Sequence, residues 1–310
     1  MFPLDQYDAL RTGCGMVELA DWSSVTLTGS DCQSFLHNFC TNDVKRLTPG
    51  TSCEAFVTNV KGKVLGLVLV TCRDDELVLI TVPGQAPGLI EHLDRYLIRE
   101  DVQLRDSTPE RGYLLVAGGE AAGEALRKVD QTNLHRIDWD LLRGGCCALL
   151  EVAPAAMAPL CQALAEQGAI ACGDAAFAAR RIESGTPLFG LDCDATNFPQ
   201  EVGRDQQAIS FTKGCYLGQE TVARIDALGH VNQQLVGVRF PEGEVPTHGT
   251  ELSQAGKAAG HVGSAAFSPQ LGMPLALAMV RREFTSPDCQ LESPQGSCHG
   301  VALPLTDARP

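Results

Sequence analysis

The sequence predicts an α+β protein built of two ferredoxin-like α/β subdomains followed by a small C-terminal β-barrel. Three observations point there. Strand and helix patterns alternate from about residue 24 to residue 184. Gly and Pro then recur at short intervals from Pro246 to Pro274 between short apolar runs, as in a small barrel. Finally, 310 residues with 44% hydrophobic content can bury more core than a single domain needs.

Each element has its own signal. Ser24–Thr28 is β-rich and stops at Gly29, and Asp31 is placed to cap a helix through Phe35, Leu36 and Phe39. Thr48-Pro49-Gly50 closes that unit as a turn. Short apolar runs at 55–59, 63–71 and 77–82 read as strands, separated by Lys61-Gly62 and Arg73-Asp74-Asp75. A helix follows over 89–98, with Leu89, Leu93 and Leu97 on one face, and then a strand at 102–104. The second alternation places strands at 114–117, 147–152 and 169–171, and helices at 121–129, 159–167 and 175–184. The barrel starts with a strand at 235–240. These patterns give a first domain of residues 1–54 with 110–230, an inserted subdomain of 55–109, and a barrel of 231–310.

Composition excludes several classes. The strongly apolar run at 64–70 is far shorter than the roughly 20 residues that span a bilayer. The N-terminus shows no basic, then apolar, leader, so a cytoplasmic location is expected. A net charge of −14 repels phosphate backbones and argues against direct nucleic-acid binding. The thirteen cysteines are scattered, without a C-x-x-C pair or a zinc spacing, and most read as small buried apolar residues. No metal site is expected. Dinucleotide, P-loop, zinc-protease and nucleophile-elbow motifs are absent.

One stretch stands out: Lys213-Gly214-Cys215-Tyr216-Leu217-Gly218-Gln219-Glu220. Two glycines allow a tight path around Cys215, and a helix is expected from Gln219 to Ile225. A nearby lysine and a helix N-terminus both favour thiolate over thiol. Cys215 is therefore a candidate reactive thiol, with Lys213 as its cation.

K-G-C-Y-x-G-Q-E followed by Val222-Ala223-Arg224 resembles the motif of the YgfZ folate-binding proteins, relatives of the glycine-cleavage T-protein (aminomethyltransferase). Asp21-Trp22, Thr41-Asn42-Asp43, Arg181–Pro187, Phe198–Glu201 and Phe267–Gly272 match other family segments. The resemblance spans residues 18 to 280. It implies a T-protein-like fold around a central channel that holds tetrahydrofolate or a derivative. Trp22, Phe177 and Tyr216 would line that site, and Glu183 would meet the pterin N–H donors.

The same resemblance marks a departure. The T-protein branch carries an aspartate pair in a strand turn, where this chain has Gly66 and Leu67 after Lys61-Gly62-Lys63. Without that acid, no local group orients a proton transfer. The resemblance thus implies a folate-binding accessory protein with a working thiol, expected to be a monomer. It would support iron–sulfur cluster assembly or repair and, through client enzymes, tRNA modification. The alternative is a folate-dependent aminomethyltransferase.

Overall fold

The computed structural model describes residues 2–305 apart from 131, 133, 242 and 243. Helix α1 (Leu4–Arg11) leads into strand β1 (Cys14–Glu18). The chain then crosses to a second sheet through β2 (Ser23–Thr28), α2 (Cys32–His37), β3 (Ser52–Thr58), β4 (Val64–Cys72), β5 (Glu76–Thr81), α3 (Ala86–Asp94) and β6 (Gln103–Asp106). It returns with β7 (Gly112–Gly118), α4 (Glu120–Lys128), β8 (Leu134–Asp138), β9 (Cys146–Val152), α5 (Met157–Glu166), β10 (Ile170–Ala171) and α6 (Asp174–Glu183). The short α7 (Asp205–Ala208) and α8 (Gln219–Leu228) connect to the last six strands.

The first sheet has the order β10-β1-β7-β9-β8, and the second β3-β4-β5-β2-β6. Strands β11 (Gln233–Arg239), β12 (Glu251–Gln254), β13 (Lys257–Ser268), β14 (Met273–Arg281), β15 (Gln290–Ser293) and β16 (Gly296–Val301) close into a barrel. The α+β class and the C-terminal barrel expected from the sequence are therefore present.

The apolar run 64–70 owes its length to burial on both faces of β4. Val68 and Val70 pack under α2 and α3, while Leu69 faces the core shared with the first sheet. Sheets covered on both sides lose the polar–apolar alternation of half-exposed strands. That shared core joins Leu69, Val78 and Ile80 of one sheet to Val17, Leu115 and Leu149 of the other.

The inserted unit differs from its expected limits. β2 lies inside the second sheet, paired to β5 through Ser23–Thr81 and to β6 through Val25–Asp106. A border at residue 55 would also cut β3 in two. The sequence pattern places Ser24–Thr28 in the N-terminal unit, whereas its hydrogen bonds go to strands some fifty and eighty residues later. Strands β1 and β8 and helix α1 were not expected either. The β1 sequence, CGMVE, is buried at its first four positions and so shows no period of two.

Candidate functional site

The turn Lys61-Gly62-Lys63 and the Lys213–Glu220 segment pack back to back. Gly218 has φ +83°, and a Cβ there would lie 2.4 Å from the Asn59 carbonyl oxygen and 2.7 Å from Gly62. Gly62 has φ +75° and meets Gly218 in turn. Only glycine tolerates both the left-handed backbone and this approach. Lys63 extends the contact by donating to the Thr196 carbonyl at 2.5 Å and lying over the Phe198 ring.

Cys215 is exposed, alone among the thirteen cysteines, which are all free. Lys213 does not serve it. Its ammonium is buried and donates to the carbonyls of His37, Cys40 and Asn42 at 2.6, 2.7 and 2.8 Å. Three donors spent on three main-chain acceptors fix the bend after α2 and leave none for the thiol. The thiols within the field of Lys213 are Cys40 and Cys53, which burial pushes up to about 11 and about 12. Burial, and next the Lys213 charge, also hold His37 below the usual histidine range. Tyr216 sits with this clamp, its ring centroid 5.0 Å from Lys213 Nζ.

A separate crevice runs between the two sheets. Its walls are Trp22, Leu67, Leu69, Ile80, Trp139, Leu141 and Phe189, with Glu54, Thr81 and Thr186 as polar members. The two indoles meet edge to face, with centroids 5.7 Å apart. Leu67, at the place expected of an aspartate, turns an apolar side chain into this space, while Gly66 backs onto Leu89 of α3. The free volume is about 20 Å³, room for about one water.

The sequence reading missed the charged pair at the crevice wall. Glu54 is buried and accepts from Arg204 through both oxygens, with Nε at 2.9 Å, and from Trp139 Nε1 at 2.8 Å. Arg204 is only 1% exposed and also reaches Thr186. A bidentate guanidinium–carboxylate pair of this kind fixes its members in place. The 150-residue separation of the partners leaves no local pattern.

The remaining expected residues are dispersed. Phe177, on α6, packs against the shared core without reaching the crevice wall. None of residues 213–220 lines that wall either, so Tyr216 and Cys215 lie apart from Trp22. Glu183 is 1% exposed, and its carboxylate is already filled. It accepts from Tyr7 Oη at 2.8 Å, Ser268 Oγ at 2.6 Å and Arg180 at 3.0 Å. These bonds tie α1 and α6 to the barrel strand β13.

Residues 4–143 match the GCVT N-terminal domain, and residues 233–301 match the glycine cleavage T-protein C-terminal barrel domain. This chain carries both GcvT domains. Among curated proteins, the GcvT chain is similar to an aminomethyltransferase of a Nostoc species, 26% identical over 302 residues, covering 89% of this chain and 79% of that one. An aminomethyltransferase of a Synechococcus species is 28% identical over 301 residues, covering 90% and 82%. Among solved structures, the glycine cleavage system aminomethyltransferase T of Bartonella henselae superposes with a TM-score of 0.86 at 17% identity, covering 99% of this chain and 90% of that one. That likeness extends the GcvT fold over the whole chain. No helix among the described residues is long and apolar enough to cross a membrane.

Proposed function

We propose that this GcvT-type chain binds a folate in the Trp22–Trp139 crevice without transferring an aminomethyl group, and that it acts through Cys215 in support of iron–sulfur cluster assembly or repair. tRNA modification would depend on it only through client iron–sulfur enzymes. The observation that carries the reading is Leu67, an apolar side chain facing the crevice where the transferase branch needs a carboxylate. The lone exposed thiol supports the second half.

The crevice walls suit a flat heteroaromatic ring in their chemistry, with indole and leucine faces and one carboxylate. Their present spacing does not, since ligand sites typically hold about 300–1,000 Å³. Entry therefore requires Trp139 and the segment 186–189 to part from the second sheet. Trp22 and Trp139 would then hold the ring, while Glu54, oriented by Arg204, would accept its N–H groups.

A second reading, aminomethyl transfer, is favoured by the relatives named aminomethyltransferase and by Glu54, a carboxylate already in the crevice. One set of measurements separates the two. Calorimetric titration with tetrahydrofolate should give binding that Trp22→Ala abolishes. Glycine-cleavage T activity, assayed with the aminomethyl-lipoyl carrier, should be absent in the native chain. Cys215→Ala should fail to restore an iron–sulfur enzyme in a strain deprived of this protein. Robust turnover that Glu54→Gln removes would establish the transferase instead. Equal folate binding by the native chain and Trp22→Ala would sink the crevice assignment.

A further inference from the structure

A cleft of about 350 Å³ lies at the seam where α8 hands the chain to the barrel, and it shares no wall residue with the Trp22 crevice. Gln200 lines it from the turn before α7. Asp205 and Asp226 add carboxylates from α7 and α8. His230 and Arg282 enter from the connecting segment and the barrel.

The acceptors there lack donors. Gln200 is 8% exposed, and its Nε2 donates to the Val222 carbonyl at 2.7 Å. That bond assigns the amide, because exchanging its ends would set two acceptors face to face. Gln200 Oε1 is then buried with no hydrogen-bond partner, and Asp205 Oδ1 is in the same condition. Native structures leave few such groups unpaired, and those they do leave call for an explanation. Burial, with the Asp226 charge second, pushes the Asp205 carboxyl up to about 6. The cleft thus sets two carboxylates, Asp205 and Asp226, against the single guanidinium of Arg282, and that guanidinium reaches neither of the two buried acceptors.

From this placement we infer that the cleft binds a small organic cation bearing N–H donors, an alkylammonium or guanidinium group, held by Gln200 Oε1, Asp205 and Asp226. A metal ion suits it less, since no group of three His, Cys, Asp or Glu side chains that could hold one occurs among the described residues. An amine or guanidinium can instead reach acceptors spread around a cleft. The ligand would bridge α7, α8 and the barrel and so fasten the seam between them. Binding ionises Asp205 and releases its proton to solvent. The charged or titratable groups around that carboxyl are Asp226 on α8, His230 after it and Arg282 on the barrel.

The test is calorimetric titration of the full chain with agmatine and with putrescine, at pH 6 in two buffers of different ionisation heat. Magnesium chloride and choline, which lacks N–H donors, serve as comparators. The expected result is saturable one-to-one binding of agmatine or putrescine, with a buffer-dependent heat that reports the released proton. Asp205→Asn should weaken it by about ten- to a hundredfold, the effect of one charge-assisted bond. Asp226→Asn, on an exposed position that does not endanger folding, should weaken it as well. Glu124→Gln, on the exposed face of α4, should leave it unchanged. Absence of saturation by either amine at millimolar concentration, equal binding by Asp226→Asn and the native chain, or preferential binding of choline or magnesium would each overturn the inference.

Discussion

Replacing Lys213 by methionine keeps the aliphatic stem and deletes only the ammonium. That ammonium makes three bonds, at 2.6, 2.7 and 2.8 Å, to the carbonyls of His37, Cys40 and Asn42. A hydrogen bond to a charged group contributes about 1.5–3 kcal/mol, so three give a gross of about 4.5–9 kcal/mol. Against this stands the cost of taking an ammonium out of water, the main cause that holds Lys213 below the usual lysine range. The variant escapes that cost but takes a donor from each of three carbonyls, of which that of Asn42 still accepts from the Val44 N–H. The net loss should be about 3–5 kcal/mol. Urea unfolding followed by tryptophan fluorescence measures it, because both tryptophans sit at the crevice. Hydrogen exchange should quicken over residues 37–42. A loss below about 1 kcal/mol, with unchanged exchange there and slower alkylation of Cys215, would refute the clamp and return the charge to the thiol.

Three other outcomes follow from the geometry. Under native conditions a thiol reagent should label Cys215 rapidly and Cys40, Cys53 and Cys147 slowly, since burial pushes those three up to about 11, about 12 and about 11; mass spectrometry of the labelled peptides reads the order, and equal rates would contradict it. Arg204→Met leaves the buried Glu54 carboxylate with only Trp139 as donor, so it should destabilise the fold by about 3–5 kcal/mol, with Glu54→Gln in the same background recovering part of the loss in a thermal melt. For Asp205 the sign runs against stability at neutral pH. A folded carboxyl raised to about 6 binds its proton more tightly than the unfolded chain does, so its penalty sets in above the unfolded pKa and is complete above the folded one. Asp205→Asn should therefore raise the melting temperature at pH 7–8 and lose that advantage as pH falls toward about 4; a gain independent of pH would exclude the carboxyl as its source.

Residues whose role depends on near neighbours were readable in advance. The apolar run within 63–71 announced a strand, the Gly and Pro spacing announced the barrel, and Gly214 with Gly218 announced a tight path ahead of a helix. Trp22, expected to face a folate, lines the crevice between the sheets. Residues whose role depends on distant partners were misread. Lys213 lies two positions from Cys215, which suggested that they act together, yet its partners are more than 170 residues away. Glu183 was singled out by its place in a family segment, and its contacts with Tyr7 and Ser268, 176 and 85 residues off, had no local pattern to show them. The Glu54–Arg204 pair and Trp139 carried no local signature, and nothing in spacing or composition singled them out.

The passage of the chain from β1 into the second sheet and back at β7 bears on how the protein is made. The second sheet is contiguous, from Ser23 to Asp106, and can close as soon as those residues leave the ribosome. β1, at Cys14–Glu18, must wait for β7, at Gly112–Gly118. At about 5–20 residues per second the interval is roughly 5–20 seconds. Throughout it, an apolar strand stands with open edges, a target for chaperones and for stray pairing. Slowing translation between the two strands should therefore lower the soluble yield, and supplying a holdase should restore it. Of the two sheets ahead of the barrel, the one entered first is completed second.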